Sequence, residues 1–303
     1  MKPTWVTWVI EKGLFVDTEE RLIGELKRQG IGYRELQYVP FDDDLVKRCE
    51  GMFPKGSCVV FYGSLNFGRK LKRTSWIPGV YLDDRKYDCT AYYPVFGNDL
   101  LHSDYIMLPY GELTRRKDFL FEHFGYNMTH DCELFMRPNS GFKQFVGTVL
   151  DYDRFDDGVK LSGFYDVEPD TLVIVSKAKR LHKEWRFVVV DGTVISGSLY
   201  RDWDAGPETL SPGAVTRDII LMNSKSVCEP CMDNDALLFA DRMAKRYNPE
   251  AAWVMDVALT DTHYRLLEIG CFSCAGMYGN DLAKVVSEVS DAAVREWELC
   301  NLT

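Results

Sequence analysis

The stretch from Ala252 to Asn280, AWVMDVALTDTHYRLLEIGCFSCAGMYGN, decides how the rest of the chain is read. It divides into two apolar runs around a polar turn at Thr260–Thr262, then a loop that leads into a helix start. Both runs have the length and composition of strands. Asp256 sits in the middle of the first run and Glu268 near the end of the second. A carboxylate inside an apolar strand is costly unless a positive charge meets it. Strands alternate faces, so a hairpin in register brings the two carboxylates to one side. Such a pair suits Mg²⁺, which works with one or two protein carboxylates together with substrate phosphates. The same residues also describe a plain hairpin with two acids on its wet face.

Around this hairpin the chain runs to 303 residues, enough for two or three lobes with their own cores. Its 46% hydrophobic and 27% charged residues are those of an ordinary folded protein. A formal net charge of -10 argues against general nucleic-acid binding, because phosphate repels an acidic surface. No apolar run is long enough to span a membrane. The N-terminal MKPTWVTWVIEKG reads as a first strand and not a signal peptide: Glu11 and Lys12 follow with no small-residue cleavage site. Nine cysteines, mostly beside apolar residues, fit reduced thiols in the cytoplasm. Cys228/Cys231 and Cys271/Cys274 have CxxC spacing. A four-thiolate zinc module would need both pairs, across a gap longer than common zinc ribbons use.

In chain order, strands are expected at Trp5–Ile10, Tyr33–Val39 and Ser57–Tyr62, with helices from Asp17 to Gly30 and around Leu45–Cys49. That alternation describes a small open α/β lobe. Asn66–Arg73, NFGRKLKR, is the most basic run and reads as a solvated loop or as a clamp for an acidic substrate. Residues 74–103 give no clear pattern, and Pro109 to Glu112 reads as a linker before a helix over Arg115–Phe124. ELFMRP is a short strand stopped by Pro138, and Asn139–Gly147 is a glycine-bounded polar loop. Thr171–Ser176 is another strand. In HKEWRFVVVDGTVISGSLY, Asp191-Gly192 marks a tight hairpin. An amphipathic helix over Asp233–Tyr247 would bury Leu237, Leu238, Ala240 and Met243. The last helix, from Asp281 to about Leu299, carries a stripe of Val285, Val286, Val289, Ala292, Ala293 and Trp297.

The second half therefore offers Arg137 at a strand end, Lys143 in a loop, and an apolar strand leading to Ser176-Lys177. Glu184 and Arg186 follow on one strand face, then Asp256 and Glu268. Cations suit phosphates, paired carboxylates suit the Mg²⁺ that bridges them, and a strand exit can hold a flat base by its edge. The chain lacks GxxxxGK[ST], a GxGxxG after a strand, and HExxH, which excludes a P-loop NTPase and weakens a dinucleotide reading.

The succession FMRPNSGFKQFVG, TLVIVS, EWRFVVVDGTVISGSLY and WVMDVALTDTHYRLLEIGCFSCAGMY resembles an ATP-grasp ligase, most closely the small clade found in phages and bacteria. The resemblance covers roughly Leu113 to Cys300. It implies an α/β fold, α+β in its second half. A small open-sheet α/β domain over residues 1–112 would precede an ATP-grasp central subdomain over 113–180 and a C-terminal subdomain over 181–303. Arg137 stands where most relatives have a phosphate-binding Lys; it keeps the charge and changes its geometry. The resemblance further implies a phosphate loop holding Lys143, an adenine hinge at Val175, Ser176 and Lys177, and a ribose or hinge acid at Glu184. Arg186 would meet the γ-phosphate or acyl-phosphate, and Asp256 and Glu268 would be Mg²⁺ ligands. The family's Glu-x-Asn is Glu268-x-Gly270 here, which removes an amide ligand.

The activity so implied is ATP- and Mg²⁺-dependent joining of a carboxylate to an amine through an acyl-phosphate, with catalysis resting on Arg186 and Lys143. Arg69, Lys70, Arg73, Arg201 and Arg217 are candidates to hold an acidic small molecule or peptide, and tagging of a peptide or protein terminus is one such reaction. The expected compartment is the cytoplasm, that of a host if the chain is phage-encoded, with no membrane or general nucleic-acid partner. The alternative is a nucleotide-binding or host-interaction protein that keeps the fold without the metal chemistry.

Overall fold

A computed structural model describes residues 5–14, 16–42, 44–125, 132–141, 144–162, 167–205 and 225–302. The first lobe is a four-stranded parallel sheet in the order β2-β1-β3-β4, from β1 (Thr7–Glu11), β2 (Gly32–Leu36), β3 (Cys58–Tyr62) and β4 (Ile77–Gly79). All five residues of β3 are buried, as a strand covered on both faces requires. On one face Val9, Val59 and Phe61 pack on α2 (Leu45–Glu50) and α3 (Leu65–Leu71). On the other, Trp8, Ile10 and Val60 pack on α1 (Val16–Gln29) and on the last helix of the chain, α8 (Leu282–Asn301). The basic run expected as a loop is α3. Phe67 and Leu71, four apart, are buried against the sheet, and Ser64 Oγ accepts the Phe67 N–H at 3.3 Å as an N-cap. The patternless stretch holds β4 and α4 (Cys89–Phe96).

A second, antiparallel sheet has the order β5-β8-β6-β7, from β5 (Ile106–Pro109), β6 (Leu134–Pro138), β7 (Thr148–Leu150) and β8 (Leu172–Lys177). One face of it packs on α5 (Lys117–His123) and α6 (Phe155–Ser162). The expected linker at Pro109–Glu112 is instead the end of β5 and a 3-10 turn. Main-chain bonds from Tyr110 to Thr171 and from Gly111 to Pro169 hold it to the segment before β8.

The third sheet is antiparallel with the order β11-β10-β9-β12-β13, built from β9 (Lys183–Val190), β10 (Thr193–Asp202), β11 (Lys225–Pro230), β12 (Ala252–Leu259) and β13 (Tyr264–Cys271). Val190 pairs with Thr193 across Asp191 and Gly192, both at positive φ, the two-residue turn that the Asp-Gly dipeptide favours. Trp185, Phe187, Val189, Trp253, Met255 and Val257 cover one face and pack on α4 and α7 (Asn234–Ala244). In α7 the buried stripe is Ala236, Phe239, Ala240, Met243 and Ala244. Leu238, expected inside, is exposed because it falls between the rows that meet the sheet.

On the opposite face Val188, Val190, Ala252 and Val254 share a core with α8. That helix belongs to two layers at once, with Val285, Val286, Val289, Ala292 and Ala293 all buried and Trp8 Nε1 donating to Ser290 Oγ at 2.9 Å. No helix among the described residues is long and apolar enough to cross a membrane.

Candidate nucleotide and metal site

The face that α8 covers at one end carries charge at the other. Arg186 of β9, Asp256 of β12 and Glu268 of β13 are direct register partners across three neighbouring strands, so their side chains share a face. Asp256, almost fully buried, is gripped from both sides: Arg186 Nε donates to Oδ1 at 2.8 Å and Nη2 to Oδ2 at 2.7 Å. Such a fork-on-fork pair is the stable way to bury both charges. Arg186 Nη1 also donates to the Gly276 carbonyl at 3.2 Å, and the guanidinium lies 5.7 and 5.1 Å from the ring centres of Tyr200 and Tyr278.

Glu184, two residues along β9, is buried beside this pair. Its Oε2 accepts from Tyr200 Oη at 2.5 Å and its Oε1 from Trp203 Nε1 at 2.6 Å. Burial pushes its carboxyl above the ordinary range, while the Tyr200 and Trp203 donors pull the other way. Tyr200 reaches it through an irregularity in β10. The register with β9 slips between Leu199 and Arg201, so one extra residue stands opposite Glu184 and the strand re-aims its side chains.

Glu268 faces the second sheet. Arg137 of β6, buried, brings Nη2 to 3.2 Å from Glu268 Oε2. Phe135, Arg137, Ile174 and Ser176 lie on one face of that sheet by register. Ser176 Oγ is 2.7 Å from Nδ1 of His102, a buried ring stacked on Phe135 at 4.2 Å. Burial, then the Arg137 and Lys179 charges, holds the His102 pKa down at about 3, so the ring is neutral. Val175 is a core residue whose main chain pairs with both β5 and β6. Pairing with β5 stops there, so Ser176 and Lys177 project beyond the β5 partner. Lys177 itself is exposed.

The structure thus brings Arg137, Ser176, Glu184, Arg186, Asp256 and Glu268 onto two facing sheet surfaces. Arg201 joins them at the rim, 5.7 Å over the Trp203 ring. Lys70 lies over Tyr38 in the first lobe at 5.5 Å, and Arg69 and Arg73 are exposed on and just after α3. Lys143 and Arg217 lie outside the described residues. Sequence reasoning missed Tyr200, Trp203, Tyr278 and His102. The signal for the first two was present in YRDW, an aromatic-rich continuation of the hairpin strand that follows Asp191-Gly192.

Two register-paired carboxylates on one face fit Mg²⁺ in donor chemistry, and phosphates would complete its shell. Each already holds an arginine. Among the described residues no three His, Cys, Asp or Glu side chains converge on a metal position, so the four CxxC thiols do not assemble the zinc site considered above.

A family model for the ATP-grasp domain, R2K clade family 2, matches residues 115–287. The chain belongs to the ATP-grasp family. No curated protein matches it. Its fold is the ATP-grasp fold, and solved structures share it over nearly their whole length. D-alanyl-alanine synthetase A from Vibrio cholerae superposes with a TM-score of 0.60 at 11% identity, over 99% of this chain and 100% of that one. D-alanine–D-alanine ligase from Bacillus anthracis gives 0.57 at 13% identity, covering 97% of each chain. The ATP-grasp ligase PsnB in complex with a minimal precursor gives 0.54 at 12% identity, over 97% of this chain and 100% of that one. At such identities the likeness is one of fold, and the chemistry of this ATP-grasp chain has to be argued from its own residues.

Proposed function

We propose that this chain is an ATP-dependent carboxylate–amine ligase. The observation that carries the reading is the row Arg186–Asp256–Glu268, continued by Arg137 across the gap between two sheets. Cations from both sheets flank two carboxylates on a surface made by ATP-grasp elements. In the reaction, a substrate carboxylate takes the γ-phosphoryl group of ATP to give an acyl-phosphate and ADP. An amine then displaces phosphate to form the amide.

The protein's part is positioning and charge neutralisation, with no covalent nucleophile. Arg137 and Lys143 hold phosphate oxygens, Ser176 and Lys177 meet the base edge, and Glu184 orders the wall beside it. Arg186 steadies the transferring group. Asp256 and Glu268 would hold Mg²⁺, which draws charge from the phosphates when bound. Arg201, Arg217 and the cations of α3 are candidates for an acidic acceptor. A peptide acceptor is consistent with the fold neighbour that is seen with a precursor.

A second reading, a nucleotide-binding protein without turnover, is favoured by one feature. Both candidate metal carboxylates are already paired with arginines, and Gly270 supplies no ligand. ADP release separates the two. A ligase releases ADP only with Mg²⁺ and faster with its acceptor; ATP binding without turnover across broad panels of amines and peptides favours the second reading.

A further inference from the structure

His182 precedes β9, two residues before Glu184. Its ring lies between two carboxylates. Nδ1 is 2.8 and 3.0 Å from the oxygens of Asp204, and Nε2 is 2.7 Å from Asp261. The partners come from separate places, Asp204 just past β10 and Asp261 in the β12–β13 turn. An ionised carboxylate only accepts hydrogen bonds, and a neutral imidazole has a single N–H. Carboxylates on both ring nitrogens therefore require the imidazolium. The main chain of the same residue is fixed as well. His182 N donates to the Leu259 carbonyl and Trp203 N donates to the His182 carbonyl, each at 2.8 Å. The Trp203 indole in turn donates to Glu184.

We propose that charged His182 is a positioning residue: by clasping Asp204 to Asp261 it keeps Trp203 against Glu184 at the rim of the nucleotide site. The consequence for nucleotide binding rests on the function proposed above; the clasp itself does not. Other charged groups surround it. Lys183 is next on β9 and opposite Asp202 in register, Arg201 lies over Trp203, and His263 shares the turn with Asp261, bonded to Thr262. The hydrogen bonds that the ring donates to Asp204, then to Asp261, hold the His182 pKa above its ordinary value. For a group raised in this way the contribution is complete below the unfolded value of about 6.5 and is lost as pH rises through the higher folded value.

The test is an NMR titration of the full chain that follows the His182 ring nitrogens and the Trp203 indole, assigned with His182→Gln and Trp203→Phe. Both ring nitrogens should carry protons at neutral pH, the midpoint should lie above about 6.5, and the Trp203 signal should follow it. In the double variant Asp204→Asn/Asp261→Asn the midpoint should fall toward that value and Trp203 should cease to follow. Calorimetry with a non-hydrolysable ATP analogue and Mg²⁺ adds a second readout. The ratio of wild-type to His182→Gln affinity should drop about threefold between about pH 6.5 and about pH 9. A His182 midpoint at or below the ordinary value, or a Trp203 signal indifferent to it, overturns the proposal. If the titration behaves as expected and the analogue binds at no pH, the clasp stands and the nucleotide reading is what fails.

Discussion

Arg137 and Glu268 join two sheets: the guanidinium leaves β6 of the second sheet and meets, at 3.2 Å, a carboxylate on β13 of the third. Both groups are largely withdrawn from water, with side-chain exposures of 8% and 20%. Removing one partner of such a pair costs more than the pair itself contributes, because the other charge is left buried.

Replacing Arg137 by Met should therefore destabilise the chain by about 3 kcal/mol and weaken binding of an ATP analogue by about tenfold, roughly 1.4 kcal/mol. Arg137→Lys keeps the charge but not the fork, and should fall between. Urea unfolding and calorimetry measure the two effects separately. Wild-type nucleotide affinity in Arg137→Met would remove Arg137 from the phosphate site.

Asp256→Asn and Glu268→Gln should both abolish Mg²⁺-dependent ADP release, yet differ in stability. Asp256 is 3% exposed and held by two bonds from Arg186, so its loss should cost about 3–5 kcal/mol. Glu268, more exposed, should cost less. The double variant Arg186→Met/Asp256→Leu should lose clearly less than the sum of its singles, with a coupling of at least about 1 kcal/mol. Additive losses would show that the two residues do not act as a pair.

Gly270 shares the face of Glu268, two residues along β13, and lies opposite Val254. A Cβ built there meets Val254 Cγ2 at 3.3 Å and the backbone is not at positive φ, so a side chain fits with a small shift of the valine. Gly270→Asn should fold with a loss under about 1.5 kcal/mol and should raise Mg²⁺ affinity in the presence of an ATP analogue. Unchanged affinity in a folded variant would place the ion elsewhere.

Glu250 supplies a pH signature outside the site. Tyr87 Oη donates to its Oε2 at 2.6 Å, and burial pushes its carboxyl up to about 7 despite that bond. Because the folded value is raised, its contribution to stability is full below the unfolded value of about 4.5 and is lost as pH rises through about 7. Thermal unfolding across that window should show a decline that Glu250→Gln removes. An identical decline in the variant would assign it to another group.

Much of this architecture was legible because short-range rules acted alone. Asp191-Gly192 specifies a tight turn by backbone conformation, and that turn sets the register of β9 on β10. The hairpin pattern of β12 and β13 put Asp256 and Glu268 on one side, although their direct pairing depends on a register shift between Asp256 and Val257. The residues that escaped depend on features without a local pattern. Tyr200 reaches Glu184 only because β10 carries an extra residue, and His102 meets Ser176 across 74 positions of chain. The α3 run read as charged loop because four cations masked Phe67 and Leu71, the buried side chains that anchor it to the sheet as a helix.

The double duty of α8 reaches back to synthesis. Residues 282–301 cover apolar surface on β1 and β3, strands that are made long before this helix. Until α8 has emerged, Trp8, Ile10 and Val60 lack part of their cover, so the amino-terminal lobe completes its core only after the third sheet has been made.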